Sequence, residues 1–343
     1  MRIRAKTIVL GVLALLLVVV LGGITAIGWQ VVLGPKARPV KDVKFEATDA
    51  RLARGKYLVE GPMHCFECHT DHDMTTPTYP TIESKKGAGW VLPIPELNNP
   101  SSKNITSDKE TGLGNWTDDE IARAIREGIR KDGTALFPIM PYVEFSKLDD
   151  EDLASIVVYI RTLPAISHEV PKRNLPFPLE YIVKTIPRPI TTPQPSHPAA
   201  TPAERGEYMV TLAGCAGCHT PANQGQPLPG MAFAGGGLFN DPGQGGKAVF
   251  SMNITPDPSG IAHYDEALLK QTLRTGEVSG RLLNHIMPFE SFKNMTDADI
   301  SDIFAYLKTV TPVKHRISNT DPPTPCPLCK QSHGLGELNA AAK

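Results

Sequence analysis

The segments GPMHCFECHT, residues 61–70, and TLAGCAGCHT, residues 211–220, each place two cysteines three apart with a histidine directly after the second. A bare Cys-x-x-Cys outside the cytoplasm is usually a disulfide or redox pair, and inside it often holds zinc. The adjacent histidine changes the chemistry. In covalent haem attachment two thiols form thioethers with the vinyl groups and the next residue's imidazole ligates the iron. The short spacing lets both thioethers and the ligand serve one porphyrin edge and face. Cys65, Cys68 and His69, with Cys215, Cys218 and His219, are therefore candidates to hold two covalently bound haem c groups.

An iron with a proximal histidine alone keeps an open position for gases or peroxide. Met140 lies 71 residues after His69 and Met287 lies 68 after His219, each inside an Ile-Met-Pro triplet. A thioether is a soft ligand that favours reduced iron, so His/Met ligation raises the potential and suits electron transfer. A methionine is more often core filler, but the equivalent placement of these two favours the axial pairs His69/Met140 and His219/Met287. The chain has no nucleophile–base constellation, and Gly235-Gly236-Gly237 reads as a flexible loop rather than a phosphate cradle.

The elements that must carry these residues repeat. Arg54-Gly55-Lys56-Tyr57 matches Arg205-Gly206-Glu207-Tyr208, Asn104-Ile105-Thr106 matches Asn253-Ile254-Thr255, and Tyr159 matches Tyr306 in a closing helix. Local signals are helical. Thr201, Pro202 and Glu204 form a helix start, and Thr117 with Glu120 a capping box ahead of Ile121, Ala124, Ile125 and Ile129 at helical spacing. Asp149 and Thr296 cap the two closing helices, which end before Pro164 and Pro312. With no run of alternating strands, the expected class is all-α. The expected organisation is an anchor at 1–33, domains at 45–164 and 201–313, a linker at 165–200 and a tail at 314–343.

The stretch from Pro164 to Pro202 holds ten prolines in 39 residues, a composition that resists helix and favours an extended, semi-rigid path. Its Leu175, Phe177, Leu179, Tyr181 and Ile182 are expected to lie against the domains. At the other end, Arg2, Arg4 and Lys6 precede an apolar run from Ile8 to Ile27. That length suits a membrane span better than a signal-peptide core, and Ala26-Ile27-Gly28 is a poor cleavage site. The basic residues then stay inside and the rest lies outside the cytoplasm, with Trp29 at the outer interface. A formal charge of −1 without a basic cluster argues against nucleic acid as a partner.

At these residues the chain resembles a tandem of class I c-type cytochromes. It is most similar to the multihaem cytochrome subunits of membrane-bound alcohol and gluconate dehydrogenases. RGKYLVEGPMHCFECHT, NITSDKETGLGNWTDDEIARAIREG and LFPIMPYVEFSKLDDEDLASIVVYIRTLP carry the resemblance, which covers about residues 45–312. The second copy keeps the frame with Tyr264 where the first has Trp116. Such subunits commonly carry three haems, whereas two attachment motifs occur here. The resemblance implies thioethers at Cys65, Cys68, Cys215 and Cys218 and the two His/Met pairs. It also implies that first and last helices cross beside the haem, near Gly55 and Tyr159 and near Gly206 and Tyr306. Arg126 and Arg274 occupy matching places and suit either haem propionates or a solvated face. Asn104 and Asn253 are read as fixing the methionine loop, or as ordinary turn residues.

Three histidines, His64, His72 and His285, are read as flanking residues without a redox role. The tail TPCPLCKQSHG holds Cys326 and Cys329, with Lys330 where a haem histidine would stand. Three readings apply: a local disulfide, a zinc or iron–sulfur site with His333 and His315, or a lysine-ligated third haem. The functional expectation is a single-pass dihaem electron carrier of the bacterial cytoplasmic membrane, its haem domains on the periplasmic side. Its partners would be redox proteins: a dehydrogenase, a quinol-oxidising complex or a terminal oxidase. The rivals are a dihaem cytochrome c peroxidase, the dihaem subunit of a haem–copper oxidase, and a haem-based sensor.

Overall fold

The computed structural model describes residues 2–28, 30–76, 78–196 and 201–339; Trp29 and residues 197–200 of the Pro-rich stretch lie outside them. The chain opens with a helix, Arg2–Ile27, within which Lys6–Gly23 is long and apolar enough to cross a membrane and has none of its surface buried by protein.

Two similar helical units follow. The first has an opening helix Asp49–Glu60, a one-turn motif helix Cys65–His69, a middle helix Asp118–Glu127 and a closing helix Asp150–Ile160. The second repeats them as Pro202–Leu212, Cys215–His219, Glu266–Thr275 and Asp297–Leu307. The starts are set by side chains that satisfy orphan amides. Thr117 and Thr201 form complete capping boxes with Glu120 and Glu204, while Asp149 and Thr296 accept from Asp152 N and Asp299 N.

In each unit the opening and closing helices cross at a glycine. A Cβ on Gly55 would lie 2.0 Å from Ser155 O and 2.8 Å from Tyr159 Cβ; one on Gly206 would lie 1.9 Å from Asp302 O and 2.9 Å from Tyr306 Cβ. Only hydrogen fits there. The crossing lets Leu58, Val59, Ile156 and Val157 form one core with Phe145 and Leu148, and Met209, Val210, Ile300 and Ile303 form the other with Phe292 and Met295. Each such side chain, fully removed from water, contributes about 1.5–3 kcal/mol before entropy is counted.

The helical frame is accompanied by five two-stranded antiparallel ladders, which the all-α expectation did not include. They are short because they join loops rather than build a sheet. Leu238–Asp241 pairs with Lys247–Phe250 in the second unit, and Ser318–Pro325 with Ser332–Gly334 in the tail. Most of the strands are two to four residues long, too short to show the alternation that marks a half-buried strand.

The Pro-rich stretch departs from its expectation in two ways. Leu179–Ile182 forms a turn of helix, and only part of the apolar set packs: Leu175 is buried, whereas Phe177 is 85% exposed and Tyr181 and Ile182 are exposed. Backbone bonds strap the stretch to the first unit, from Ser101 Oγ and Lys103 Nζ to Pro171 O and between Gln194 and Asp150. Its Lys184 Nζ meets Val31 O, just beyond the apolar N-terminal helix.

Candidate functional site: two cysteine–histidine turns at a shared boundary

Each motif helix is a single turn entered through a left-handed residue, His64 (φ +39°) and Gly214 (φ +64°). Glycine adopts that conformation freely and histidine at a cost. The turn then presents the residues that follow to one side. His69 Nδ1 lies 2.6 Å from Lys103 O and His219 Nδ1 lies 2.7 Å from Met252 O. Donation to a carbonyl puts the proton on Nδ1 and leaves Nε2 as the nitrogen with a free lone pair. Burial lowers both imidazoles below their ordinary value, which keeps them neutral.

The two carbonyls are themselves held. Asn104 Oδ1 accepts from Thr106 N and Oγ1, and its Nδ2 donates to Thr111 Oγ1 and Ile166 O. Asn253 does the same with Thr255, Ser259 and Val313 O. Each asparagine thus anchors the residue directly after the carbonyl that orients the histidine. This corrects the expected role in the methionine loop: the asparagines serve the histidine side. Gly89 N and Gly235 N, both at positive φ, close the other face by donating to His69 O and His219 O.

Met140 packs against the first core alongside Cys65, and Met287 against the second alongside Cys215. Burial pushes the Cys65 and Cys215 thiols up to about 12 and Cys68 up to about 11, the last with added repulsion from Glu67 and from Cys218 of the other unit. The two motifs therefore face a common boundary. The His64 ring meets Phe292 edge-on at 5.7 Å, Ser291 Oγ donates to Glu67 Oε1 at 2.9 Å, and Asn294 Nδ2 donates to Glu60 O at 3.0 Å.

Arg126 pairs with Asp150 and Arg274 with Asp297, so each ties its middle helix to the start of the closing helix. The cation that sequence reasoning missed is Arg130. Its Nε is buried with no partner among the described residues, and burial together with repulsion from Arg173 lowers it. Lys103, whose carbonyl holds His69, is likewise lowered by burial, Arg130 and Arg173. Arg173 is itself paired with Glu180, which leaves the unpartnered Arg130 Nε as a donor that fits a carboxylate of a porphyrin. Position 130 falls beyond the repeated helix, which is why no pattern singled it out.

His72 is structural: its Nδ1 bonds Tyr79 O, its Nε2 bonds Glu67 O and its ring packs on Trp90. His285 lies edge-on to Phe289. In the tail, Cys326 and Cys329 are buried free thiols, and His315 and His333 converge on them. Lys330 turns away, its Nζ donating to Pro327 O.

The chain matches the family model for cytochrome c twice, over residues 52–164 and 203–311. It is 32% identical over 296 residues to the fructose dehydrogenase cytochrome subunit of Gluconobacter japonicus, covering 80% of this chain and 56% of that protein. It is 27% identical over 285 residues to the cytochrome c subunit of the quinone alcohol dehydrogenase of Gluconobacter oxydans, covering 78% and 56%. To a diheme cytochrome c-type protein of Cereibacter sphaeroides it is 26% identical over 221 residues, covering 62% and 71%. The chain thus spans little more than half the length of the two dehydrogenase subunits.

Proposed function

Because this chain belongs to the cytochrome c family, whose domains imply covalently bound haem c, we propose that it is a membrane-anchored dihaem electron-transfer subunit. It takes electrons from a periplasmic dehydrogenase and hands them on to a respiratory acceptor. The observation that carries this reading is the pair of Cys-x-x-Cys-His turns at one boundary, each histidine held by a backbone carbonyl through Nδ1. Haem bound at these turns supplies a one-electron iron couple.

The chain's own residues hold, orient and insulate. Cys65, Cys68, Cys215 and Cys218 carry the thioethers. His69 and His219 would ligate the iron through Nε2, and Met140 and Met287 would each supply a thioether. Arg130 receives a propionate in the first unit; no counterpart stands in the second, so the two haems differ in electrostatic setting. The facing motifs favour transfer from one unit to the other, and the protein needs no acid–base group for this. Arg2–Ile27 anchors the chain, and the relatives that are dehydrogenase cytochrome subunits supply the partner class.

Detergent extraction followed by mass spectrometry of the co-purifying complex tests the assignment. A flavoprotein or quinoprotein dehydrogenase in stoichiometric amount supports it. Recovery with haem–copper oxidase subunits alone overturns it.

A further inference from the structure

Of everything outside the two motif turns, the tail holds the most organised chemistry. His315, Cys326, Cys329 and His333 are all buried, and their ligand atoms lie within 4.8 Å of one another. Cys326 Sγ is 3.4 Å from His315 Nε2. A tetrahedral zinc with bonds of about 2.3 Å to sulfur and about 2.0–2.1 Å to nitrogen places sulfur and nitrogen ligands about 3.5 Å apart. The observed separation is that of ligands around one ion.

The histidines are set for the same task. His315 Nδ1 bonds Ala234 O and His333 Nδ1 bonds Gly334 O, both at 2.9 Å. Both Nε2 atoms then keep their lone pairs, and His333 Nε2 is buried with no partner among the described residues. A buried polar atom without a partner costs about 1–3 kcal/mol, which a metal bond removes. The backbone bends to suit: Lys330 at φ +63° follows Cys329, and Cys326 N bonds Gln331 O.

We infer that His315, Cys326, Cys329 and His333 form a closed four-ligand site for a structural zinc ion, which clamps the tail onto the second unit. Two cysteines and two histidines whose ligand atoms lie within 4.8 Å of one another suit zinc, and four protein ligands leave no open position for catalysis. The spacing is too short for ligands spread over a two-iron cluster. A disulfide between Cys326 and Cys329 would leave the buried Nε2 of His333 without a partner among the described residues.

The tail needs such a clamp. Between 314 and 339 Ile317 is the one buried aliphatic side chain among the described residues, and a strand with three prolines supplies little core. Metal ligation then provides the folding energy that apolar burial does not. His168 in the first unit occupies the place of His315, its Nδ1 bonded to Ala88 O and its amide to Thr111 Oγ1. The second unit repeats both bonds and adds the cysteines. Gly236 makes the fit possible: a Cβ there would lie 2.8 Å from His315 Cε1 and 3.4 Å from Cys329 Cβ. The three-glycine loop is thus the floor of this site rather than a free loop.

Elemental analysis of the purified full chain, counted per polypeptide and so independent of haem content, is the test. One zinc per chain is expected, falling at least fivefold in Cys329→Ser and retained in Lys330→Ala. A companion measurement on the unaltered chain avoids variants that misfold: unfolding in chelator without reductant, alkylation, and mapping of the tail peptide. Alkylation of Cys326 and Cys329 under those conditions supports the site. Zinc below one-fifth of an atom per chain, a stoichiometric non-haem iron instead, or alkylation only after reduction would overturn it.

Discussion

The Tyr208 hydroxyl donates to Asp152 Oδ2 at 2.8 Å, across the boundary between the two units. Its repeat partner Tyr57 donates to Asp299, so each opening helix reads the first turn of the other unit's closing helix. Backbone amides complete the exchange: Thr296 N donates to Tyr57 and Asp149 N to Tyr208. Burial, with the bond to Asp299, pushes Tyr57 up to about 12, and burial beside Asp152 and Asp149 raises Tyr208 further. The repeat sequence itself thus writes a near two-fold interface, and that interface sets the distance between the two motif turns.

Tyr208→Phe removes the hydrogen bond to the charged Asp152 and the weaker one from Asp149 N, while Arg54 still pairs with Asp152. We expect a loss of about 1.5 kcal/mol, read as a lower denaturation midpoint with both motif turns still loaded. Tyr57→Phe should cost a similar amount, and the double variant should slow electron exchange between the units in flash-reduction experiments.

Gly55→Ala and Gly206→Ala place a methyl group against a backbone carbonyl that no rotamer change can move. Each should destabilise its unit by about 3 kcal/mol. Urea unfolding followed by far-UV circular dichroism checks this. A neutral outcome at either glycine would contradict the described helix crossing.

Arg130→Gln removes a guanidinium whose buried Nε has no hydrogen-bond partner among the described residues. Less positive charge favours the oxidised iron, so the potential of the first haem should fall by about 60 mV, equivalent to about 1.4 kcal/mol for one electron. The second haem should not move. Potentiometric titration followed optically separates the two.

Acid should loosen the segment that joins the N-terminal helix to the first unit. Asp119 is partly buried, which opposes ionisation, but two bonds from Arg38 and one from Lys41 N outweigh this and hold it below its usual range. A carboxyl with a lowered folded value contributes stability that is complete above its unfolded value, about 3.9, and is lost as pH falls through the folded value. Glu127, also paired with Arg38, is raised by burial and partly opposes the trend. Denaturation midpoints should therefore drop below about pH 4, with a smaller drop in Arg38→Gln.

Much of this was legible in the chain because helix signals are local. The capping boxes at Thr117 and Thr201 and the closing-helix caps follow from short patterns that repetition made unmistakable, while the two glycine crossings came from the family resemblance. What escaped depends on contacts between distant residues. Arg126 and Arg274 looked available for an anion until Asp150 and Asp297 took them. Arg130 carried no pattern at all. The ladders hid because their strands lack alternation, and Leu179–Ile182 forms one helical turn where proline density argued for none. The tail showed its cysteines and, as one reading among three, a metal site with His333 and His315; the fold brings the four together.

The central claim is that both motif turns bind haem covalently. Intact-mass spectrometry of the full-length chain, with peptide mapping, tests it most directly. The account predicts two haem adducts, one on the peptide holding Cys65 and Cys68 and one on that holding Cys215 and Cys218. A chain carrying one adduct or none, or with a disulfide within either motif, would contradict it.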